Sequence, residues 1–300
     1  MLTYPAPVQE LNRAQWESRA RAHRERLLPY VEPHLARRGA RVKHPVHDFL
    51  FTYYSQRPAQ LLRWHPGFGV RLLDAPEYDG LKGYRDGAVT TAHAASQRVL
   101  VETLLRLLRA TAGRAANFGC FGLHEWAMVY RADQTRHDWP LRLGPAGTDT
   151  VVESHRIRCS HFDAYRFFTP AAVGLNALRP GRDDRADFEQ PACLHAGMDL
   201  YKHAFRLSPL VSSDLVADCF ELAWDIRVLD MRAAPYDLRD LGLEPVRIET
   251  PEGKQEYAAA QRSFADRAAP LRQRLTGECE RLLAAARGGS SGRNGRFTGE

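Results

Sequence analysis

Three hundred residues, 44% hydrophobic and 26% charged, suffice for one large or two small globular domains with an ample core. No run approaches the ~18 apolar residues of a membrane span, and the N-terminal MLTYPAPVQELNRAQW lacks the apolar core of a secretory signal, so a cytoplasmic chain with no membrane partner is expected. Five cysteines, an odd number with no CxxC pair, exclude a zinc finger or ribbon and point to reduced thiols rather than a disulfide framework.

Only four of the 42 basic residues are lysines, and the net charge of +6 is concentrated between Leu11 and Lys43, where nine Arg/Lys face three Glu. Clustered arginine suits phosphate backbones because its planar fork bonds two oxygens at once. Arg37, Arg38 and Arg41 are the candidate nucleic-acid contacts; an ordinary solvated helix face is the competing reading.

In chain order, Trp16, Ala20, Leu27, Val31 and Leu35 keep a helical spacing that Pro29 and Pro33 are expected to break or kink. HPVHDFLFTYYSQRP (44–58) predicts a second helix, with Pro45 in its first turn and Pro58 beyond its end. Residues 63–89, rich in Gly, Pro and Asp, predict a loop or short strands fit for a binding surface. Residues 94–111 form a strongly periodic amphipathic helix. NFGCFGLHEWAMVYR (117–131) follows as a buried helix or a strand, and 132–150 as another loop.

Helical patterns resume at about 160–168, 191–207, 213–232 and 251–286. Ser212 or Ser213 caps the third of these, and Thr250 with Pro251 caps the fourth. Residues 288–300, GGSSGRNGRFTGE, predict a disordered tail. With no internal repeat and few strand signals, the expectation is a mainly α fold: one large helical domain over 1–287 with Gly/Pro-rich loops, and a division into two lobes near residue 140 as the alternative.

Three segments concentrate titratable groups. In PACLHAGMDLYKH, His195, Asp199 and His203 fall at i, i+4 and i+8 on one helix face. They could bind a metal or form a hydrogen-bonded chain, but a third ligand two turns away strains a single ion, so no metal and no cofactor are expected. In CSHFDAYRFF, His161 and Tyr165 align while Asp163 pairs with Arg166 or Phe167. A carboxylate among aromatics can serve as an acid or, if ionised, can activate water or stabilise a cation.

In FGCFGLHEWAMVYR, His124, Glu125 and Trp126 interrupt an apolar run where unpaired charge is costly. His44, His47 and Asp48 share one turn, and Arg57, Trp64 and His65 bring cationic and aromatic groups together. The three clusters around His124, His161 and His195 are expected to converge in one cavity. P-loop, Rossmann, zincin and α/β-hydrolase motifs are missing from the sequence.

HPVHDFLFTYYSQRP, RWHPGFGV, FGCFGLHEWAMVYR, RCSHFDAYRFFTP, CLHAGMDLYKHAF, DMRAAPYDL and ETPEGKQEY together resemble an actinobacterial family that carries the name 3-methyladenine DNA glycosylase, over roughly residues 15–285. The resemblance implies hydrolysis of the N-glycosidic bond of an alkylated purine in DNA. The Gly-rich hairpin of helix-hairpin-helix glycosylases has no counterpart here, so no catalytic aspartate carries over from that fold.

For such a reaction, Asp163 or Glu125 would supply the carboxylate, supported by His161 and His124. His195, Asp199, Tyr165, Trp126, Trp64, His65 and Arg57 would bind the substrate. The alternatives are a helical metal-dependent or small-molecule enzyme using the His/Asp/Glu cavity, and a basic binding protein without catalysis.

Overall fold

Helix α1 (Arg13–Gly39) starts at a reciprocal cap: the Asn12 side chain accepts from the Gln15 amide, and the Gln15 side chain accepts from the Asn12 amide, both at 3.0 Å. In the computed structural model, which describes residues 9–135 and 137–288, α1 runs unbroken through Pro29 and Pro33, against expectation. Both prolines are exposed, as is Glu25, so the carbonyls their rings leave unbonded can turn to water.

Five further helices of ten residues or more follow: α2 (Arg98–Ala112), α3 (Gly144–Glu153), α4 (Leu194–Arg206), α5 (Ser213–Arg232) and α6 (Pro251–Gly288). The chain is mainly helical, as its periodicity predicts. The caps fall where expected, with Ser212 accepting from Leu215 and Thr250 from Gly253.

Helix α5 buries residues all around its circumference, from Leu215 and Val216 to Asp230 and Met231, and is therefore the central element. Helices α4 and α6 pack against it, and α6 also packs on α2 and α4. One core cluster draws from Leu11 to Leu282, including residues on both sides of position 140. The buried stripe of α6 runs Tyr257, Gln261, Ala268, Arg272, Leu275, Cys279, Leu282, at helical spacing.

Three expected boundaries change. Of 44–58, only Phe49–Thr52 and, separately, Pro58–Leu61 are helical. Asp48 is recruited by tertiary partners instead, accepting from His44 N at 2.9 Å and from Arg37 Nη2 at 2.6 Å, and Ser55 turns the chain at φ 54°. Residues 144–150, the end of the expected 132–150 loop, belong to α3, with Pro145 in the first turn and Val151 and Val152 buried. Near 160–168 the helix is a single turn, Phe162–Tyr165.

The 63–89 region contributes three strands of a small sheet: β2 (Val70–Leu72), β3 (Tyr84–Arg85) and β4 (Ala88–Val89), joined by β1 (Gln9–Leu11) in the order β1-β2-β4-β3. Only β1 and β2 pair in parallel. Asp86 and Gly87, at φ 52° and 70°, make the tight β3–β4 turn. A Cβ on Gly87 would lie 2.0 Å from the Leu72 carbonyl oxygen, so only glycine fits.

His65 lies under this sheet, its Nδ1 3.0 Å from the Tyr84 hydroxyl. Burial, reinforced by Arg63 and His23, lowers its pKa to about 4. The unfolded chain therefore takes up a proton that the folded chain refuses, and stability falls as pH drops from about 6.5 towards 4. Unfolding curves should show a His65→Asn variant losing less stability over that range than the parent, by on the order of 2 kcal/mol. Parallel pH profiles would mean that His65 does not titrate in this way.

Candidate metal centre

The short helix Leu123–Ala127 is buried throughout and enters from Gly122 in a left-handed conformation. It sets His124 Nε2 2.8 Å from Oδ1 of Asp230, a fully buried carboxylate on α5. Arg227, one turn earlier, reaches Asp230 Oδ2 at 3.0 Å and Glu125 Oε1 at 3.2 Å. Two cations and two carboxylates thus neutralise each other in the core. Burial alone would lower the His124 pKa, but Asp230 raises it well above the usual value, while His124 holds Asp230 low against the effect of burial.

His195, on the first turn of α4, stands edge-on to His124 with ring centroids 4.5 Å apart, and His161 lies 5.3 Å from His195. The three histidine rings are neighbours, but they do not share one cavity as expected: only His124 and His195 line it, and His161 does not. Burial, with His124 beside it, pushes the His195 pKa well down, so this imidazole is neutral and free to donate a lone pair.

Against His124 and His195 lies a chamber of about 10 Å³, lined also by Cys120, Cys159 and Cys193. That is room for one water or one ion. Cys120 Sγ is 3.7 Å from His124 Nδ1. Ligands at ~2.3 Å (sulfur) and ~2.0 Å (nitrogen) from one tetrahedral ion would be about 3.5 Å apart. Among the described residues, the one group of three His, Cys, Asp or Glu whose ligand atoms all lie within 4.8 Å of one another is His124, His195 and Asp230, so Cys120 would have to move towards His195 to share an ion with both rings. Since Asp230 already takes His124 Nε2, its natural place is behind the imidazole, fixing the ring so that Nδ1 faces the sulfur. Tyr257 and Gln261, from α6, complete the wall, and Tyr257 Oη and Gln261 Oε1 are buried without a hydrogen-bond partner.

On the other side of His195 lies a second polar cluster. His161 Nε2 is 3.4 Å from Asp199 Oδ2 and 3.5 Å from Glu189 Oε1, while its Nδ1 is buried without a partner. Asp199 also receives Arg185 at 2.6 Å, Tyr54 at 2.8 Å and Lys202 at 3.2 Å. Burial would raise its pKa, but His161 and Lys202 hold it well below the usual range. Lys202 reaches on to Asp163 at 3.0 Å, and Arg166 approaches the same carboxylate at 3.3 Å. Asp163 is therefore an ionised, cation-bound group, as Lys202 outweighs the effect of burial.

No family model, curated protein or solved structure matches the chain. The resemblance to the glycosylase family thus rests on the sequence motifs alone.

The remaining predicted site residues are dispersed. Trp126 is fully buried and donates its indole N–H to the Ala233 carbonyl at 2.8 Å, and Trp64 is 2% exposed. Tyr165 packs on Phe168, His65 belongs to the sheet region, and Arg57 is exposed where the helix Pro58–Leu61 begins. His195, Asp199 and His203 share a face of α4, but His195 serves the chamber and Asp199 the second cluster.

Arg37 is bound to Asp48, whereas Arg38 and Arg41 are exposed. Sequence reasoning did not single out Asp230, Arg227, Arg185 or Glu189, and it gave the cysteines no role although Cys-x-His recurs at 159 and 193. The available signal was the recurrence of Cys-x-x-x-His at 120 and Cys-x-His at 159 and 193. No helix of the described residues is long and apolar enough to cross a membrane.

Proposed function

We propose that the protein is a metal-dependent enzyme acting on small molecules, with one transition-metal ion in the Cys/His chamber. The observation that carries this reading is the 3.7 Å approach of Cys120 Sγ to His124 Nδ1 in a space the size of one ion, where three Cys–His segments distant in sequence meet. Cys120, His124 and His195 would be ligands, with Cys193 or Cys159 able to close the shell; Asp230 would orient His124 from behind. Mixed thiolate and imidazole ligands suit zinc or a late first-row ion.

With three protein ligands the ion keeps a position for water or substrate. Tyr257 Oη and Gln261 Oε1, which lack partners, would hydrogen-bond to what occupies it. The ion would act as a Lewis acid, and the neighbouring His161–Asp199–Lys202 cluster supplies groups that could hold or move a proton. A cytoplasmic setting accords with this reading, because the thiols must stay reduced to bind. Elemental analysis of protein purified without chelators tests it: about one transition ion per chain is expected, and none after reloading with zinc, iron or cobalt would overturn it.

Alkylpurine glycosylase activity is the second reading, favoured by the exposed Arg38 and Arg41 and by the family resemblance. Two features weigh against it. Asp163 and Glu125 are both tied to cations, and the chamber at the histidines cannot hold a purine. The basic segment is also partly neutralised: Arg13 pairs with Glu77, Arg26 with Asp218 and Glu221, and Arg37 with Asp48. If the segment tracks duplex DNA, affinity should fall with a log–log salt slope of about −0.9 per phosphate contact, and Arg38→Glu with Arg41→Glu should flatten it. Coincident slopes for parent and variant would remove this support.

A further inference from the structure

Arg272 occupies a core position on α6, between Ala268 and Leu275 in the buried stripe, and is only 3% exposed. Such positions are apolar unless a charge has a partner, because a bare buried charge is costly. No carboxylate of the described residues lies within ion-pairing distance of it, and its Nη2 is buried with no hydrogen-bond partner. Glu189, a carboxylate within its Coulombic reach, is already taken by Arg185 at 2.5 Å.

What Arg272 does line is a groove of about 390 Å³ between α2 and α6. Ala112, Ala269 and Pro191 give the groove an apolar lining, Gln273 and Thr276 add polar side chains, and Arg109 stands at the rim, paired with Glu280 at 2.7 Å. Groove and chamber share a wall. Pro191 lines the groove, while Gln190, Cys193 and Leu194 line the chamber. Gln261 and Arg272, eleven residues apart on α6, fall on the same helix face.

We propose that this groove is a binding site for a small organic anion, in which the Arg272 guanidinium holds a carboxylate or phosphate head and the apolar walls take the body. The guanidinium fork matches either oxyanion through two parallel N–H bonds, and the volume admits a molecule of roughly drug-fragment size. The assignment does not depend on a metal being present. If the ion is there, the groove places an anionic substrate beside it, across the Pro191–Cys193 turn.

The test uses the full chain and three probes, inorganic phosphate, phenyl phosphate and benzoate, titrated calorimetrically against the parent, Arg272→Met and Cys120→Ser. Saturable binding of at least one probe to the parent is expected, with phenyl phosphate against benzoate deciding the head group. Arg272→Met should abolish that binding, keep its metal content, and melt about 2–4 °C higher, since an uncompensated buried charge has been replaced by an apolar side chain of similar length. Cys120→Ser should bind the anion as the parent does. No binding by the parent, or equal binding by parent and Arg272→Met, would overturn the proposal. So would a loss of folding stability in Arg272→Met with no change in binding, which would mark the arginine as structural. Loss of metal in Cys120→Ser with anion binding intact, or the reverse in Arg272→Met, keeps the groove and the metal centre separately testable.

Discussion

Replacing Asp230 by alanine should lower the unfolding free energy of metal-free protein by about 3–5 kcal/mol. Its carboxylate is fully buried and accepts from both His124, at 2.8 Å, and Arg227, at 3.0 Å. His124 can answer the loss by releasing its proton, but Arg227 cannot, and the one carboxylate it keeps is Glu125 at 3.2 Å, beside the Pro45 carbonyl at 3.3 Å. Denaturant unfolding of the parent, Asp230→Ala, Arg227→Met and the double variant would measure this. The double variant should be much less destabilised than the sum of the single ones, because removing both charges leaves no unpaired ion. A single-variant cost below about 1 kcal/mol would show that the cluster is not an electrostatic unit.

The second large effect concerns metal retention. Cys120→Ser should reduce the bound ion from about one per chain to under a tenth, since a hydroxyl is a far poorer ligand than a thiolate for a zinc-class ion. Cys219→Ser is the matched control: Cys219 is buried on α5, and its Sγ does not line the chamber. That variant should keep its metal. Because an ion bound only to the native state adds stability by mass action, chelation should destabilise the parent by roughly 4 kcal/mol at a free-ion level a thousandfold above Kd, and should leave Cys120→Ser unchanged. Equal metal content in the two variants would dissociate the ion from this chamber.

The long helices were legible because their signals are local. Ser212 and Thr250–Pro251 mark the starts of α5 and α6, and apolar spacing marks their buried faces. That His124, His161 and His195 lie close together was also legible, since each interrupts an apolar segment with polar groups that need burial partners, but not that His161 would lie outside the cavity the other two line. The partners were not. Asp230 is 106 residues from His124, and on α5 it reads as one more acid in an amphipathic pattern. Only the fold shows that its face of the helix is turned inward.

Arg272 escaped notice for the same reason, although its place between Ala268 and Leu275 in the stripe was a signal in hindsight of the periodicity alone. The error over 44–58 has a different cause. There, Asp48 is drawn into contacts with Arg37, His34 and His44, and tertiary bonding overrode the helical pattern. In α1, exposure of Pro29 and Pro33 reduced the expected penalty.

X-ray absorption at the metal edge of purified protein tests the proposed centre most directly, because it reports both the presence of an ion and the atoms around it. The expected result is about one ion per chain with a mixed shell, sulfur at about 2.3 Å and nitrogen at about 2.0–2.1 Å, the sulfur contribution falling in Cys120→Ser. A shell of oxygen and nitrogen alone, or less than a tenth of an ion per chain after reloading, would contradict it.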